Sequence, residues 1–289
     1  MTEKQKVTIN NSEMLFLYDA KRCNPNGDMD NENKPRMDWD TSTNLVSDVR
    51  LKRYIRDFLE KVKNEKLFIT NKAEDAKQRV VQLKDNKENI LDLIGVRLFG
   101  AVTATETADH LTGPVQFNWG YSLNRVELQD TKTITSSFSS GEGVGKDYRV
   151  KYSFIAFSGG ISGLAAQDTN LTANDIKLLD EAMVKAIPLN RTRSKIGQTP
   201  RFYLRVELKD NQSYLNDLRE YIKLDYKVAE IEVREINQCE VDIDELVTYL
   251  NDNKDKVSTV HYWIDGKVEF KNNGLDQLAD DIVKKELNY

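Results

Sequence analysis

The stretch "MLFLYDA", residues 14–20, is a short and nearly continuous apolar run. Bounded by polar residues, such a run reads as a buried strand. It stops in "KRCNPNGDMDNENKPR", residues 21–36, which is rich in Asn, Asp, Gly, Lys and Arg. Those residue types fit three roles: an ordinary turn, a metal site on Asp28 and Asp30, or a loop that holds an anion. Gly27 is expected to let the backbone turn.

Downstream, "NLVSDVRLKRYIRDFLEKVKNEK" carries Leu45, Val46, Val49, Ile55, Phe58, Leu59 and Val62 at helical spacing. It predicts a helix started by Thr43 or Asn44. Residues 66–112 read as an insertion with a charged helical stretch. From Val115 the chain alternates, with Val115, Phe117, Trp119, Tyr121 and Leu123 on one face. That pattern predicts a half-buried strand with Phe117 and Trp119 in the core. A long polar segment follows, residues 128–150, and "KYSFIAFSGG" alternates again, so the two strands are joined by a protruding hairpin. "TANDIKLLDEAMVKAI", 172–187, predicts an amphipathic helix, and "RFYLRVELK" another strand. The order strand, helix, strand, strand, helix, strand is the split βαβ pattern of ferredoxin-like and RNA-recognition-motif folds. In the last third, "DIDELVTYLNDNK" predicts a helix, "VHYWIDG" a strand and "LDQLADDIVKKEL" a final helix. The whole reads as one elaborated α+β domain, residues 1–289.

Composition narrows the chemistry. Charged residues make up 31% and hydrophobic residues 39%, and no apolar run is long enough to span a bilayer. The first ten residues contain no apolar secretory core. Cys23 and Cys239 are the only cysteines and His110 and His261 the only histidines, so a Cys-based zinc site and a disulfide framework are excluded, a metal site would have to rest on carboxylates, and a reducing, cytoplasmic setting is expected. No catalytic residue, metal or cofactor is assigned. "GEGVGK", residues 141–146, fails as a Walker loop: Ser140 stands where the first glycine belongs and Asp147 where Ser or Thr belongs.

Charge is distributed unevenly. Residues 185–209 hold seven basic residues and one acidic, net +6; residues 210–289 hold 19 acids and 10 bases, net −9. Arg50, Lys52, Arg53 and Arg56 crowd one helix at spacings that bring like charges together. "RTRSK", 191–195, has three cations and no acid. Both suit a phosphate backbone; for the helix, neutralisation by Asp48 and Asp57 is the alternative.

Five segments, "LFLYDAKRCNPNGDMDNENKPRMD", "TSTNLVSDVRLKRYIRDFL", "GVRLFGAVTA", "GPVQFNWGYSLNRVE" and "NRTRSKIGQTPRFYLRVE", together and in this order resemble the CRISPR-associated Cas-seven family, most closely its Csh-type branch of type I-B systems. The resemblance covers about residues 12–209. It implies a hand-shaped subunit that polymerises on a CRISPR RNA as the backbone of Cascade, with base pairing left to read the target DNA. The partners implied are further copies of the chain, a large subunit, and Cas-five-type and Cas-six-type proteins; no membrane is involved. The palm is the βαββαβ core, the fingers are about residues 66–112, and the thumb is about 128–150. The acidic C-terminal extension, 210–289, has no assigned role. By resemblance, RNA contacts fall to Lys21, Arg22, Asn24, Asn26, Arg50, Lys52, Arg53, Arg191, Arg193 and Lys195. On the thumb they fall to Lys132, Phe138, Lys146 and Arg149. Type III relatives cut RNA with an acid in a comparable loop; the local pattern here resembles type I, whose backbones do not cut. An endoribonuclease using Asp28 or Asp30 and a monomeric RNA-recognition-motif protein are the alternatives.

Overall fold

The computed structural model describes residues 8–69, 76–86, 88–102, 110–129, 133–135 and 144–289. Lys132, Phe138 and residues 141–143 of "GEGVGK" lie outside the described residues. The apolar run becomes β1 (Ser12–Lys21), flanked on both sides by long antiparallel partners. One partner is β5 (Tyr152–Ile161), pairing from Ser12↔Ile161 to Lys21↔Tyr152. The other is β6 (Gln198–Leu208), pairing from Ser12↔Glu207 to Ala20↔Gln198 with one register irregularity after Leu17. Beyond β5 lie the short strands β3 (Val115–Phe117) and β4 (Gly120–Ser122), and β4 in turn pairs with β2 (Thr43–Val46). Beyond β6 lie β7 (Val257–Ile264) and, parallel to it, β8 (Val283–Glu286). With Met37–Asp38 at the far edge, the sheet has nine strands among the described residues.

Residues of β1 divide cleanly between two cores. Met14, Phe16, Tyr18 and Ala20 join one cluster with α1 (Asp48–Lys61) and α5 (Ala173–Leu189). Leu15 and Leu17 join Phe154, Phe202 and Leu204 in a second cluster on the opposite face. That second face is covered by the acidic extension: the turn Leu218–Tyr221, the ribbon Lys223–Tyr226 with Cys239–Asp242, and α6 (Asp244–Asp252). The sheet thus presents no open face over β1, β5 and β6.

Helix α5 starts where the sequence demands. Thr172 Oγ1 accepts from the Asp175 amide, and Asp175 accepts from the Thr172 amide at 2.9 Å, a reciprocal cap. Asp175 also takes a two-point ion pair from Arg97, at 2.7 and 2.9 Å. This pair ties α3 (Ile94–Phe99) of the 66–112 insertion to the main body, and Thr169 at the end of α4 (Gly163–Thr169) donates its hydroxyl to Arg97 O at 2.9 Å. Within that insertion, α2 (Ala76–Asp85) contributes Leu83 to a small core with Phe68, Leu93 and Val96.

Four expectations need correction. Residues 43–46 are a strand, and α1 begins only at Asp48, capped by Ser47, which leaves Val49 64% exposed. Gly27 does not turn the chain through a left-handed conformation; Arg22, Glu32 and Asn33 do that. Gly27 is needed because a Cβ there would lie 1.9 Å from Asn33 Oδ1. The alternation from Val115 breaks at Asn118–Trp119: Phe117 pairs with Gly159 but Tyr121 with Ala156, so one extra residue bulges out. Phe117 stays in the core, whereas Trp119 is 43% exposed. Finally, the expected C-terminal helix is a short turn at Gly274–Gln277 followed by β8. Leu275, Leu278 and Ile282 have helical spacing, but they are buried as a non-helical segment against the second core, and the residues after them pair with β7.

Candidate nucleic-acid interface

At the end of β1 the chain is held from both sides. The Lys21 amide donates to Gly197 O at 2.7 Å and the Asn24 amide to Ser194 O at 2.8 Å, which fastens the opening loop to residues 190–197. On the other side, the Arg22 amide donates to Lys151 O, the Val150 amide donates to Cys23 O at 2.9 Å, and Arg149 Nη1 donates to Arg22 O at 2.9 Å. The hairpin base holds two short antiparallel ladders, Leu128↔Val150 with Gln129↔Arg149, and Thr133↔Lys146 to Thr135↔Val144. Three segments distant in sequence therefore meet at one end of the sheet.

The two asparagines organise this junction from inside. Asn24 is 3% exposed and donates to Asn33 O at 2.8 Å. Asn26 Oδ1 accepts from both the amide and the hydroxyl of Ser47, each at 2.9 Å, and so links the loop to the cap of α1. Both side chains are engaged with protein; the exposed residues of the loop are Arg22 and the stretch 29–33, which carries the acids Asp30 and Glu32.

The cations differ in how they are held. Arg22 and Arg191 are exposed with no carboxylate at ion-pair distance among the described residues. Arg193 and Arg149 share Asp147, at 3.1 and 2.8 Å. Lys146 pairs with Glu32 at 2.8 Å, and hydrogen bonds from Lys146 and Tyr148 hold the Glu32 carboxyl down at about 2. Lys21 pairs with Glu235. Arg53 pairs with Asp57 at 3.0 Å, and Asp57 also accepts from Asn190 beside Arg191. Lys52 points elsewhere: it binds Asp48 and Gln116 at 3.1 and 3.0 Å. Arg56 lies over the Phe99 ring.

Arg50 and Lys195 are the most constrained. The Arg50 guanidinium lies 4.2 Å from the Tyr54 ring centroid, and its Nε is buried without a partner. Lys195 Nζ donates to Asn24 O at 2.6 Å and Pro25 O at 3.1 Å. Burial, aided by the Arg50 charge, pushes the Lys195 ammonium down to about 8. Asn24 Oδ1 and the Tyr18 hydroxyl nearby are also buried without partners.

The acids of the loop show no metal geometry. Asp28 Oδ1 lies 3.1 Å from Arg36, and no group of three or more His, Cys, Asp or Glu converges among the described residues. Sequence reasoning missed Trp119, which stands exposed with the Arg36 guanidinium 5.9 Å from its ring. Gly120 immediately after it was the available signal, since a glycine inside an alternating run marks a bulge.

The family model described as CRISPR-associated protein Cas7 matches residues 10–244. The chain belongs to that family. A CRISPR-associated protein Cas7 of Haloferax volcanii is 34% identical over 304 aligned positions, covering 91% of this chain and 89% of the relative. Among solved structures, a chain of a CRISPR RNA-guided surveillance complex superposes with a TM-score of 0.57 at 12% identity, covering 97% of this chain and 95% of the other. A chain of such a complex in a pre-nicking state gives 0.58 at 11% identity, covering 96% and 97%. At these identities the likeness is one of fold, a mixed α+β architecture shared over almost the whole length. Among the described residues, no helix is long and apolar enough to cross a membrane.

Proposed function

We propose that the chain is a non-catalytic backbone subunit of a type I-B Cascade, which polymerises on a CRISPR RNA in the cytoplasm and supports guide pairing with target DNA. The observation that carries this reading is the convergence of cations from four separate segments at one end of the sheet. Arg22, the loop with Arg191, Arg193 and Lys195, and Arg149 at the hairpin base are joined by hydrogen bonds to main-chain atoms, and Arg50 of α1 lies close enough for its charge to act on Lys195. Such an array suits a polyanion recognised through its backbone rather than its bases. What supports reading the core as a ferredoxin-like palm is the sheet order β6–β1–β5–β4 with α1 and α5 on one face. In the same reading, residues 66–112 are the fingers and 128–150 the thumb, carrying Lys132 and Phe138. The other partners are further copies of the chain, a large subunit, and Cas-five-type and Cas-six-type proteins.

A self-contained RNA-recognition-motif protein that stacks bases on an open sheet is disfavoured. Tyr152, Phe154 and Phe202 are at most 1% exposed beneath the C-terminal layer. The test is size-exclusion chromatography of the protein with and without copurifying RNA, followed by incubation with labelled complementary RNA and magnesium. RNA-dependent assemblies without specific cuts support the reading. A monomer that ignores RNA, or regular cleavage abolished by Asp28→Asn or Asp30→Asn, overturns it.

A further inference from the structure

Lys146, Arg149 and Arg193 are each occupied by a carboxylate of the chain itself, and those carboxylates join segments that are distant in sequence. Glu32, in the opening loop, accepts from Lys146 at 2.8 Å and from the Tyr148 hydroxyl, both on the 128–150 hairpin. Lys34 adds a tie: its Nζ lies 3.7 Å from Glu32 and 5.1 Å from the Tyr148 ring centroid. On the other side, Asp147 of the hairpin takes Arg193 of the 190–197 loop at 3.1 Å and Arg149 at 2.8 Å. The backbone is arranged to deliver Glu32. Glu32 and Asn33 have φ of +51° and +59°, a conformation that L side chains rarely adopt. The Asn33 amide donates to Asp28 O at 2.8 Å, Asn24 donates to Asn33 O at 2.8 Å, and Gly27 leaves room for the Asn33 side chain. A costly local conformation that its surroundings hold in place points to a role for the side chain it presents.

We propose that Glu32 and Asp147 form an autoinhibitory latch, which in the free chain holds the hairpin shut on the opening loop and the 190–197 loop and must be displaced before RNA takes over the cations it occupies. The inference rests on the RNA-binding reading above and adds a regulatory element to it. A carboxylate that accepts from a lysine and a tyrosine, or from two arginines, offers the same charge and acceptors as a pair of phosphate oxygens. It therefore competes with a phosphate for the same donors. Arg22 and Arg191 have no carboxylate at ion-pair distance among the described residues, so encounter with a strand begins there. The Glu32 side chain is 51% exposed, within reach of an incoming strand. Ion pairs this exposed are individually weak, so the latch opens reversibly. It lowers apparent affinity only by the fraction of time it is shut.

Hydrogen exchange of the amides of residues 144–150 in the RNA-free chain reads the latch directly. Glu32→Gln removes the charge and keeps the side chain's size; it should speed exchange there, and Asp147→Asn should do the same. Both variants should bind oligouridylate more tightly than the native chain, by about two- to fivefold. Asp30→Asn removes an equal charge from the same loop, at a residue with no ion pair among the described residues. It should leave the exchange unchanged and gain less affinity than Glu32→Gln. Unchanged exchange in Glu32→Gln, or a gain in affinity no larger than that of Asp30→Asn, overturns the latch while leaving RNA binding intact. Failure of the native chain and every variant to bind RNA overturns the functional reading and the inhibitory role with it, whatever the exchange shows. Glu32→Gln alone decides the matter if Asp147→Asn disturbs the hairpin base through Arg149.

Discussion

The Lys21 amide donates to the carbonyl of Gly197 at 2.7 Å, and a Cβ at Gly197 would come within 2.3 Å of the Lys21 carbonyl oxygen. Gly197 also has φ of +110°, outside the range L side chains favour. The end of β1 and the loop bearing Arg191, Arg193 and Lys195 are therefore in register only because residue 197 lacks a side chain. Gly197→Ala should destabilise the protein by roughly 1–3 kcal/mol through backbone strain and displacement of the loop. It should also weaken RNA binding although no charge is lost. Thermal melting and a binding titration on the same preparation test this. An unchanged melt with unchanged affinity would show that the docking of the loop does not matter.

The ion-pair pattern separates the cations into two sets with different expected salt behaviour. Arg22 and Arg191 are exposed without carboxylate partners among the described residues, while Lys52 is held by Asp48 and Gln116. Affinity for single-stranded RNA should fall with salt, and the log–log slope should flatten by roughly 0.7 for each phosphate contact removed. Arg22→Ala combined with Arg191→Ala should flatten it by about twice that amount. Lys52→Ala should leave the slope unchanged. A larger effect from Lys52 than from the arginine pair would reverse the assignment of faces on α1.

How much of this was legible depended on whether local signals decided the structure. The strand β1 was legible because its apolar run is continuous: side chains alternate between two cores, so both faces need apolar residues. Helix α5 was legible because Thr172 and Asp175 form its cap within four residues of sequence. The start of α1 was misread because Leu45 and Val46 fit either period, and pairing with Tyr121 and Gly120 decides for strand. The C-terminal helix failed for the same reason, since β8 exists through its long-range partner β7. At the interface, residue types identified the cations and, on α1, the partners Asp48 and Asp57 that the structure gives Lys52 and Arg53, but not the partners supplied by distant segments. Asp147 between Arg193 and Arg149, or Glu32 beneath Lys146, is a product of the fold.

A second stability test concerns Asp180, which is 2% exposed and receives Arg205 through two hydrogen bonds, at 2.9 and 2.8 Å. The Tyr203 hydroxyl donates to the same carboxylate at 2.8 Å. The contact joins α5 to β6 from inside. Removing one partner leaves a buried charge uncompensated, so Asp180→Ala should cost about 3–5 kcal/mol. Changing both Asp180 and Arg205 to apolar residues should cost less than the single change. Chemical denaturation of the native protein and the two variants measures the difference. A double variant less stable than Asp180→Ala alone would contradict the account.

The last prediction concerns Glu13, at the opposite end of β1 from the cationic junction. Burial, reinforced by the nearby Asp217 charge and partly offset by a backbone hydrogen bond from Leu215, raises its carboxyl from 4.5 to about 7. The sign follows from comparing folded and unfolded chains. Below pH 4.5 the carboxyl is protonated in both states and its contribution to stability is intact. As pH rises from 4.5 towards 7, the unfolded chain releases the proton while the folded chain retains it, so stability is lost progressively until the folded group titrates. Above that range the protein carries a buried, repelled carboxylate. Glu13→Gln removes the charge while keeping the side chain's size, so it should match the native protein near pH 4 and exceed it at pH 8. The expected excess is on the order of 2 kcal/mol, discounted for partial exposure of the group. Urea unfolding of both proteins across pH 4–8 measures it. Two parallel stability curves over that range would mean that Glu13 ionises normally in the folded chain.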